Sequence, residues 1–286
     1  MTFEAPRSTR SLNVGDVVSA AISLFRTNFR TFLGLNLKAF LWLFVPVYGW
    51  ARWSMIQAQI GRLGFQELMR TPETVAQSLR AIEPRLWPFL GIAILVSLIQ
   101  VAVSYAMSFA LSFLMIPVSI IGGAGEAAAA LSALLMVGVQ LVILAAQMWM
   151  QARLFLWDMI LAMEPDTEST AAITRSWELT KGSGARVLLV LLVAYLVMLP
   201  LYGLMLAVPL IIAVPFFSTG LVEGDGSAIA ALALLLAFLV FLLLALVVGI
   251  LTSPFFQVIK SVLYYDLRNR REGLDIQFRD RPHSQG

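Results

Sequence analysis

Between Ala228 and Val262 the chain reads AIAALALLLAFLVFLLLALVVGILTSPFFQVIKSV, in which Lys260 is the first charged residue. That run exceeds the ~20 apolar residues needed to cross a hydrocarbon core about 30 Å thick. Leu86 to Met115, Ala127 to Trp157 and Val187 to Phe217 have the same character. Of the 286 residues 59% are hydrophobic and 13% charged, against roughly half and a quarter in soluble domains. The fold class that follows is an all-α polytopic membrane protein with four long spans. Met1 to Asn13 carries Arg7 and Arg10 but no apolar core or cleavage site, so no cleavable signal peptide is expected.

The basic residues set the expected topology. All of the 20 except Lys38 fall in four groups: Arg7 to Arg30, Arg52 to Arg85, Arg153 to Arg186 and Lys260 to Arg281. The connections Pro117 to Glu126 and Ser218 to Ser227 hold only Glu126, Glu223 and Asp225 as charges. Because lysine and arginine are retained on the cytoplasmic side, both termini are expected there. A weaker apolar stretch, Phe32 to Tyr48, holds Lys38 and is interrupted at Pro46. A single crossing would strand arginines outside, so the chain is expected to enter at Phe32, turn near Pro46 and leave by about Gln59. The arms of this short or re-entrant hairpin would be roughly 14 residues, or about 21 Å, each. Lys38, early in the first arm, is expected to snorkel to the inner face.

Each hairpin follows an amphipathic stretch. In the first, Val14, Val18, Ala21, Ile22, Phe25 and Phe29 share a helical face opposite Ser19, Ser23, Arg26 and Arg30, with Asn13 as cap and Asp16 in the first turn. The second is expected to start with Thr71-Pro72-Glu73 as its cap and to show Val75, Leu79, Ile82 and Leu86 on one side. The third, Thr167 to Lys181, sets Ile173 and Trp177 against Glu168, Arg175 and Glu178. Phe155-Leu-Trp-Asp158-Met is echoed by Leu263-Tyr-Tyr-Asp266-Leu, and the turn at Gly122 to Ala128 by that at Gly220 to Gly226. These matches suggest a parallel repeat of three units, over residues 12–60, 71–163 and 167–272, with 273–286 a polar cytoplasmic tail.

Two stretches carry a family likeness. STAAITRSWELTKG (Ser169 to Gly182) and LYYDLRNRREGLD (Leu263 to Asp275) resemble elements of the glycerophosphoryl diester phosphodiesterase membrane-domain family. The opening Leu12 to Asp16, continuing to Asn28-Phe-Arg, is similar to that family's start. The resemblance implies an all-helical bacterial membrane domain, usually of six segments. It does not imply the phosphodiesterase activity, which belongs to a separate barrel rich in histidines and metal-binding carboxylates. This chain has no long polar region, and its single histidine, His283, stands in the tail.

Composition removes several chemistries. With no cysteine there is neither disulfide nor thiolate, and one histidine excludes sites that need two. No serine has a histidine partner for a triad, and Gly122-Gly-Ala-Gly lacks the lysine of a phosphate loop. No catalytic residue, metal or cofactor is expected, nor a nucleic-acid partner, since the net charge of +3 arises from membrane-flanking arginines.

What remains is charge and polarity near the spans. Arg153 and Asp158, and Lys260 and Asp266, are spaced by five and six residues, poor for pairing within one helix. Each aspartate is therefore expected to pair between units or with a later arginine, as Asp266 can with Arg270. Gln100, Ser104, Gln140 and Gln147 are expected to bond between helices, at about 0.6–2 kcal/mol each. Pro200, Pro209 and Pro215 interrupt one span and mark a candidate groove. Tyr264 and Tyr265 are expected in the interfacial belt, with Arg268, Arg270 and Arg271 holding the inner face and Gly273 ending the helix. Arg26, Arg30, Arg175, Trp177, Lys181, Arg186, Tyr264, Tyr265, Asp266, Arg268, Arg270 and Arg271 are the candidate headgroup or partner contacts.

The expected function is non-enzymatic: a scaffold, accessory or lipid-interacting protein of the bacterial inner membrane. It would organise or dock at an anionic cytoplasmic leaflet, with membrane lipids and other membrane proteins as partners. The alternative is a small-molecule or lipid transporter using the proline-broken span 187–217.

Overall fold

The structure, a computed structural model, describes residues 13–122, 125–218 and 227–272. Its helices are α1 (Val14–Thr27), α2 (Phe29–Trp42), α3 (Tyr48–Leu68), α4 (Val75–Ile82), α5 (Leu86–Gly122), α6 (Glu126–Leu154), α7 (Trp157–Met163), α8 (Ser169–Thr180), α9 (Gly184–Ser218) and α10 (Ser227–Glu272). A 3-10 turn, Glu83–Arg85, joins α4 to α5, and among the described residues there is no strand. The protein is an all-α membrane protein whose four helices long and apolar enough to cross a bilayer are the four spans legible in the sequence. They pack as two pairs, α5 with α6 and α9 with α10.

Within the most apolar windows of these spans only 6% to 22% is buried inside the protein, and Phe109, Leu134, Leu199 and Leu243 point outward. The packed core lies instead where the charged residues gather. Leu24, Met55, Ile60, Met159, Ile160, Leu179, Val190, Phe255 and Val262 are all under 2% exposed there. Lipid tails are as apolar as leucine, so within the bilayer a side chain gains little by exchanging lipid for protein. Where water begins, burying a large apolar side chain contributes about 1.5–3 kcal/mol. Tertiary packing therefore concentrates at the end of the spans.

The three amphipathic stretches all form helices. Asn13 caps α1 in a capping box, its own N–H donating to the Asp16 carboxylate at 2.7 Å. The apolar face of α1, with Val17, Val18, Ala21 and Leu24 buried, meets α9 and α10 rather than lipid. α8 packs on α5, α6 and α7. The cap of α4 is Thr74, paired with Gln77, and not the expected Thr71-Pro72-Glu73. Those residues are tied to α3 instead: the Glu73 carboxylate accepts from Arg62 at 2.7 and 2.9 Å and from Gln66 at 2.9 Å, and Thr71 donates to Gln66.

The weak apolar stretch is a helical hairpin, turning at Leu43 to Val47 around Pro46 as expected. Most turn donors are satisfied internally: Val45 N–H reaches the Trp42 carbonyl, Gly49 N–H the Val45 carbonyl and Trp50 Nε1 the Leu43 carbonyl. A side chain at Gly49 would place its Cβ 1.9 Å from the Trp42 carbonyl oxygen, so the close return of α3 demands glycine there. Leu41, Phe44 and Trp50 leave the tip exposed and apolar. The second arm differs from expectation. It does not leave by Gln59 but continues to Leu68, and α3 is packed by α2, α5, α7 and α10. Gln57 and Gln59 are buried and Arg62 partly so, each with a distant partner: Gln57 donates to Asn36, Gln59 to the Val75 carbonyl, and Arg62 to Glu73 and the Ala162 carbonyl. Lys38 is exposed on α2.

Candidate functional site

The closing turns of α10 gather most of the residues singled out above. Tyr264 does not sit in an interfacial belt: it is fully buried against Phe65, and its hydroxyl donates to Glu164 at 2.9 Å. An aromatic at a span end can face lipid or protein, and here α3 and the end of α7 cover it. Arg268 donates to the Tyr264 hydroxyl, and Arg175 lies 3.6 Å from Glu164. Tyr265 is half-buried beside the same Phe65 ring. Asp266 holds Arg186 at 3.2 Å and Arg270 at 3.1 Å, the second being the pair expected from spacing. Arg271 donates to the Lys181 carbonyl. These residues form a clasp joining α3, α8, α9 and α10. Arg26 and Arg30 are exposed and make no ion pair among the described residues. Gly273 and the Gly220 to Gly226 turn lie outside the described residues.

The other aspartate, Asp158, is placed by a break in the helix. α6 stops at Leu154 and α7 resumes at Trp157. The buried Ser176 hydroxyl of α8 donates to the Arg153 carbonyl at 2.9 Å and accepts the Leu156 N–H at 3.3 Å. A side chain inserted into the backbone ladder in this way kinks a helix. Asp158 thereby falls in the first turn of α7, where it accepts the Met159 N–H and takes Lys260 at 2.6 Å. The pair joins α7 to α10 rather than closing within one helix.

Beside this pair lies a cavity of about 280 Å³ bounded by α3, α7, α9 and α10. Trp53, Trp157, Tyr195, Tyr202 and Phe256 form its aromatic walls, and Gln57, Gln257, Asp158 and Lys260 its polar ones. Lys260 Nζ also lies 5.1 Å from the Phe155 ring centroid and 5.9 Å from that of Trp157. One polar orientation is fixed by a chain of bonds. Asn36 donates to the Ile250 carbonyl at 2.7 Å, so its own oxygen is the atom that accepts from Gln57 at 2.6 Å and from Ser253 at 2.9 Å. Gln57 must therefore present Oε1, and that atom is buried without a donor, as the Trp53 indole N–H is without an acceptor.

A second polar space of about 200 Å³ lies between α5 and α6, lined by Gln100, Ser104, Gln147 and Gln151. Gln147 donates to Ser104 at 3.0 Å, an expected inter-helix bond, while Gln140 is exposed. Gln151, which lines this space, donates at 3.2 Å to the hydroxyl of Tyr195, which lines the larger one. The prolines line neither. Pro200 and Pro215 are exposed and Pro209 buried along a continuous α9, and it is Tyr195 and Tyr202, flanking Pro200, that face the larger cavity.

Sequence reasoning missed Asn36, Trp53 and Gln57 altogether. The available signal was a pair of amides in the two arms of an otherwise apolar hairpin, where a buried amide needs a partner. Among the described residues no three acidic or histidine side chains gather where a metal could be held. Compared with protein-family models, with curated proteins and with solved structures, the chain matches none.

Proposed function

We propose that this is a non-enzymatic membrane protein that binds a small polar solute in the cavity between α3, α7, α9 and α10 and moves it across the membrane. The observation that carries this reading is the Gln57 carbonyl, fixed in orientation, buried and without a donor, on a residue that lines the same space as the Lys260 and Asp158 pair. Leaving such an acceptor unmet costs about 1–3 kcal/mol, which a bound donor recovers. An ammonium, a carboxylate, an amide oxygen and an indole N–H within aromatic walls suit a zwitterion or short amine. At about 280 Å³ the cavity is at the small end for ligands. Opening the Gln151 to Tyr195 bond would lengthen the polar route.

Trp53 and Trp157 wall the cavity, so occupancy should change the emission of the purified protein. Titration with amino acids and short alkylamines is expected to give at least one saturable change, weakened about tenfold by Gln57→Leu. If no compound in the panel alters emission and Gln57→Leu only stabilises the protein, solute binding at this cavity fails.

Docking at the cytoplasmic leaflet is favoured by a separate observation, the exposed and unpaired Arg26 and Arg30. Each contributes about 1 kcal/mol near an anionic surface. Because the apolar face of α1 is occupied by protein, such contact would be electrostatic rather than by insertion. The distribution of basic residues supports cytoplasmic termini, and the two sequence motifs support membership of the phosphodiesterase membrane-domain family and hence a bacterial inner membrane.

A further inference from the structure

Arg153, at the end of α6, is 8% exposed yet has no carboxylate partner among the described residues. Other enclosed cations are compensated: Arg62 pairs with Glu73, Arg186 with Asp266 and Lys260 with Asp158, and Arg85 donates to the Leu161, Glu164 and Thr167 carbonyls. The two acids that follow it in sequence have cations of their own, since Asp158 holds Lys260 and Glu164 faces Arg175. What surrounds Arg153 is mostly aromatic. Its guanidinium carbon lies 4.4 Å from the ring centroid of Trp177 and 5.8 Å from that of Trp149, and Nη1 donates to Thr180 Oγ1 at 3.3 Å. Nε is buried with no acceptor, and no described residue accepts from Nη2.

A guanidinium stays charged in proteins, so burial without an anion has to be compensated from elsewhere. Ring faces offset only part of that cost. The cage is also open to the outside: Trp149 and Trp177 are 43% and 40% exposed, Trp149 stands near the end of a long apolar helix, where headgroups lie, and Trp177 belongs to α8, which packs on that helix. Gly184 holds Trp149 in place, since a Cβ there would stand 3.0 Å from the indole. The exposed Lys181 follows Thr180 at the same lip, and the Arg271 guanidinium reaches its carbonyl.

We infer that Arg153, flanked by Trp149 and Trp177 and assisted by Lys181, is a binding site for a phosphate oxyanion, supplied by a phospholipid headgroup or by free phosphate. The site is separate from the solute cavity and does not rest on that reading. Arg153 was placed by sequence at a span end; its tryptophan cage comes from two helices, and Trp177 belongs to the SWELT stretch whose Ser176 kinks the chain above it.

The two phosphate sources are separated by titrating the full chain, in a neutral detergent, with dihexanoyl phosphatidylglycerol and, in parallel, with inorganic phosphate, following tryptophan emission and thermal unfolding. Saturable binding and stabilisation by the lipid alone support a headgroup site; by inorganic phosphate as well, a general oxyanion site. Arg153→Gln is expected to weaken binding about tenfold to a hundredfold through loss of a charge-assisted bond, with Arg153→Lys intermediate. Trp177→Leu, at an exposed position, should weaken it by less and serves if Arg153→Gln fails to fold. A purely structural arginine would leave the stabilisation by anion unchanged in the folded variants. That result, or the absence of saturation with either probe, overturns the proposal.

Discussion

The segments Phe155 to Met159 and Leu263 to Leu267 are alike in sequence, an aromatic followed by an aspartate as a span ends, yet they do different things. At Asp266 the helix runs on unbroken, two arginines converge on one carboxylate, and the fully buried Tyr264 seals the space beside it. At Asp158 the helix is broken by Ser176, one lysine arrives from α10, and a cavity opens beside the pair. The same local pattern is a clasp in one place and the wall of a polar site in the other. What separates them is a hydroxyl from a third helix, not anything within the segments themselves.

The largest difference should appear when the clasp is cut. Asp266→Ala leaves Arg186, only 17% exposed in its side chain, without its counter-charge. Removing one partner of such a buried pair costs about 3–5 kcal/mol. Unfolding of the purified variant in mixed micelles by increasing dodecyl sulfate should show the loss directly. An unchanged midpoint would mean that Tyr264 and its apolar neighbours hold the end of α10 without the charges.

Ser176→Ala attacks the origin of the difference. It leaves the Leu156 N–H and the Arg153 carbonyl short of a partner, at about 1–3 kcal/mol for the pair. A helix freed of the inserted hydroxyl can close its own ladder and straighten, which would turn Asp158 away from Lys260. Spin labels placed at Gln151 and Met163, on either side of the kink, should report a longer separation in the variant. Equal separations would show that packing of α8, and not its serine, sets the break.

How much of this was legible in the sequence follows the same division. The four spans, the turn at Pro46 and the Asn13 cap rest on local rules of hydropathy, proline and capping, and all are seen in the structure. Asp266 with Arg270 was legible because a helix fixes which residues are neighbours four positions apart. Gln59 and Arg62 read as the polar end of a short arm, because a sequence shows polarity but not whether a distant partner will satisfy it. Tyr264 was placed in the headgroup belt for a related reason: at a span end, periodicity does not distinguish a lipid neighbour from Phe65. Partner choice between helices, including Ser176 on the α6 backbone and Asn36 on Gln57, is a property of packing alone.

The smallest expected stability change, and the sharpest probe of the contrast, is Asp158→Asn. Asparagine retains an oxygen for the Met159 N–H, so the first turn of α7 keeps its bond. Lys260 loses its carboxylate but remains beside the Phe155 and Trp157 rings, and its ammonium borders a space of about 280 Å³ that water can enter. With one cation to rehydrate instead of two, and water beside it, the cost should be about 1–2 kcal/mol, below that of Asp266→Ala. Any solute that changes the emission of the parent protein should lose its effect in this variant, because the charge it meets is altered while the aromatic walls are not. A destabilisation as large as that of Asp266→Ala would mean that the space beside Lys260 stays dry. In that case the two span ends are both clasps, and the cavity is a gap between helices rather than a site.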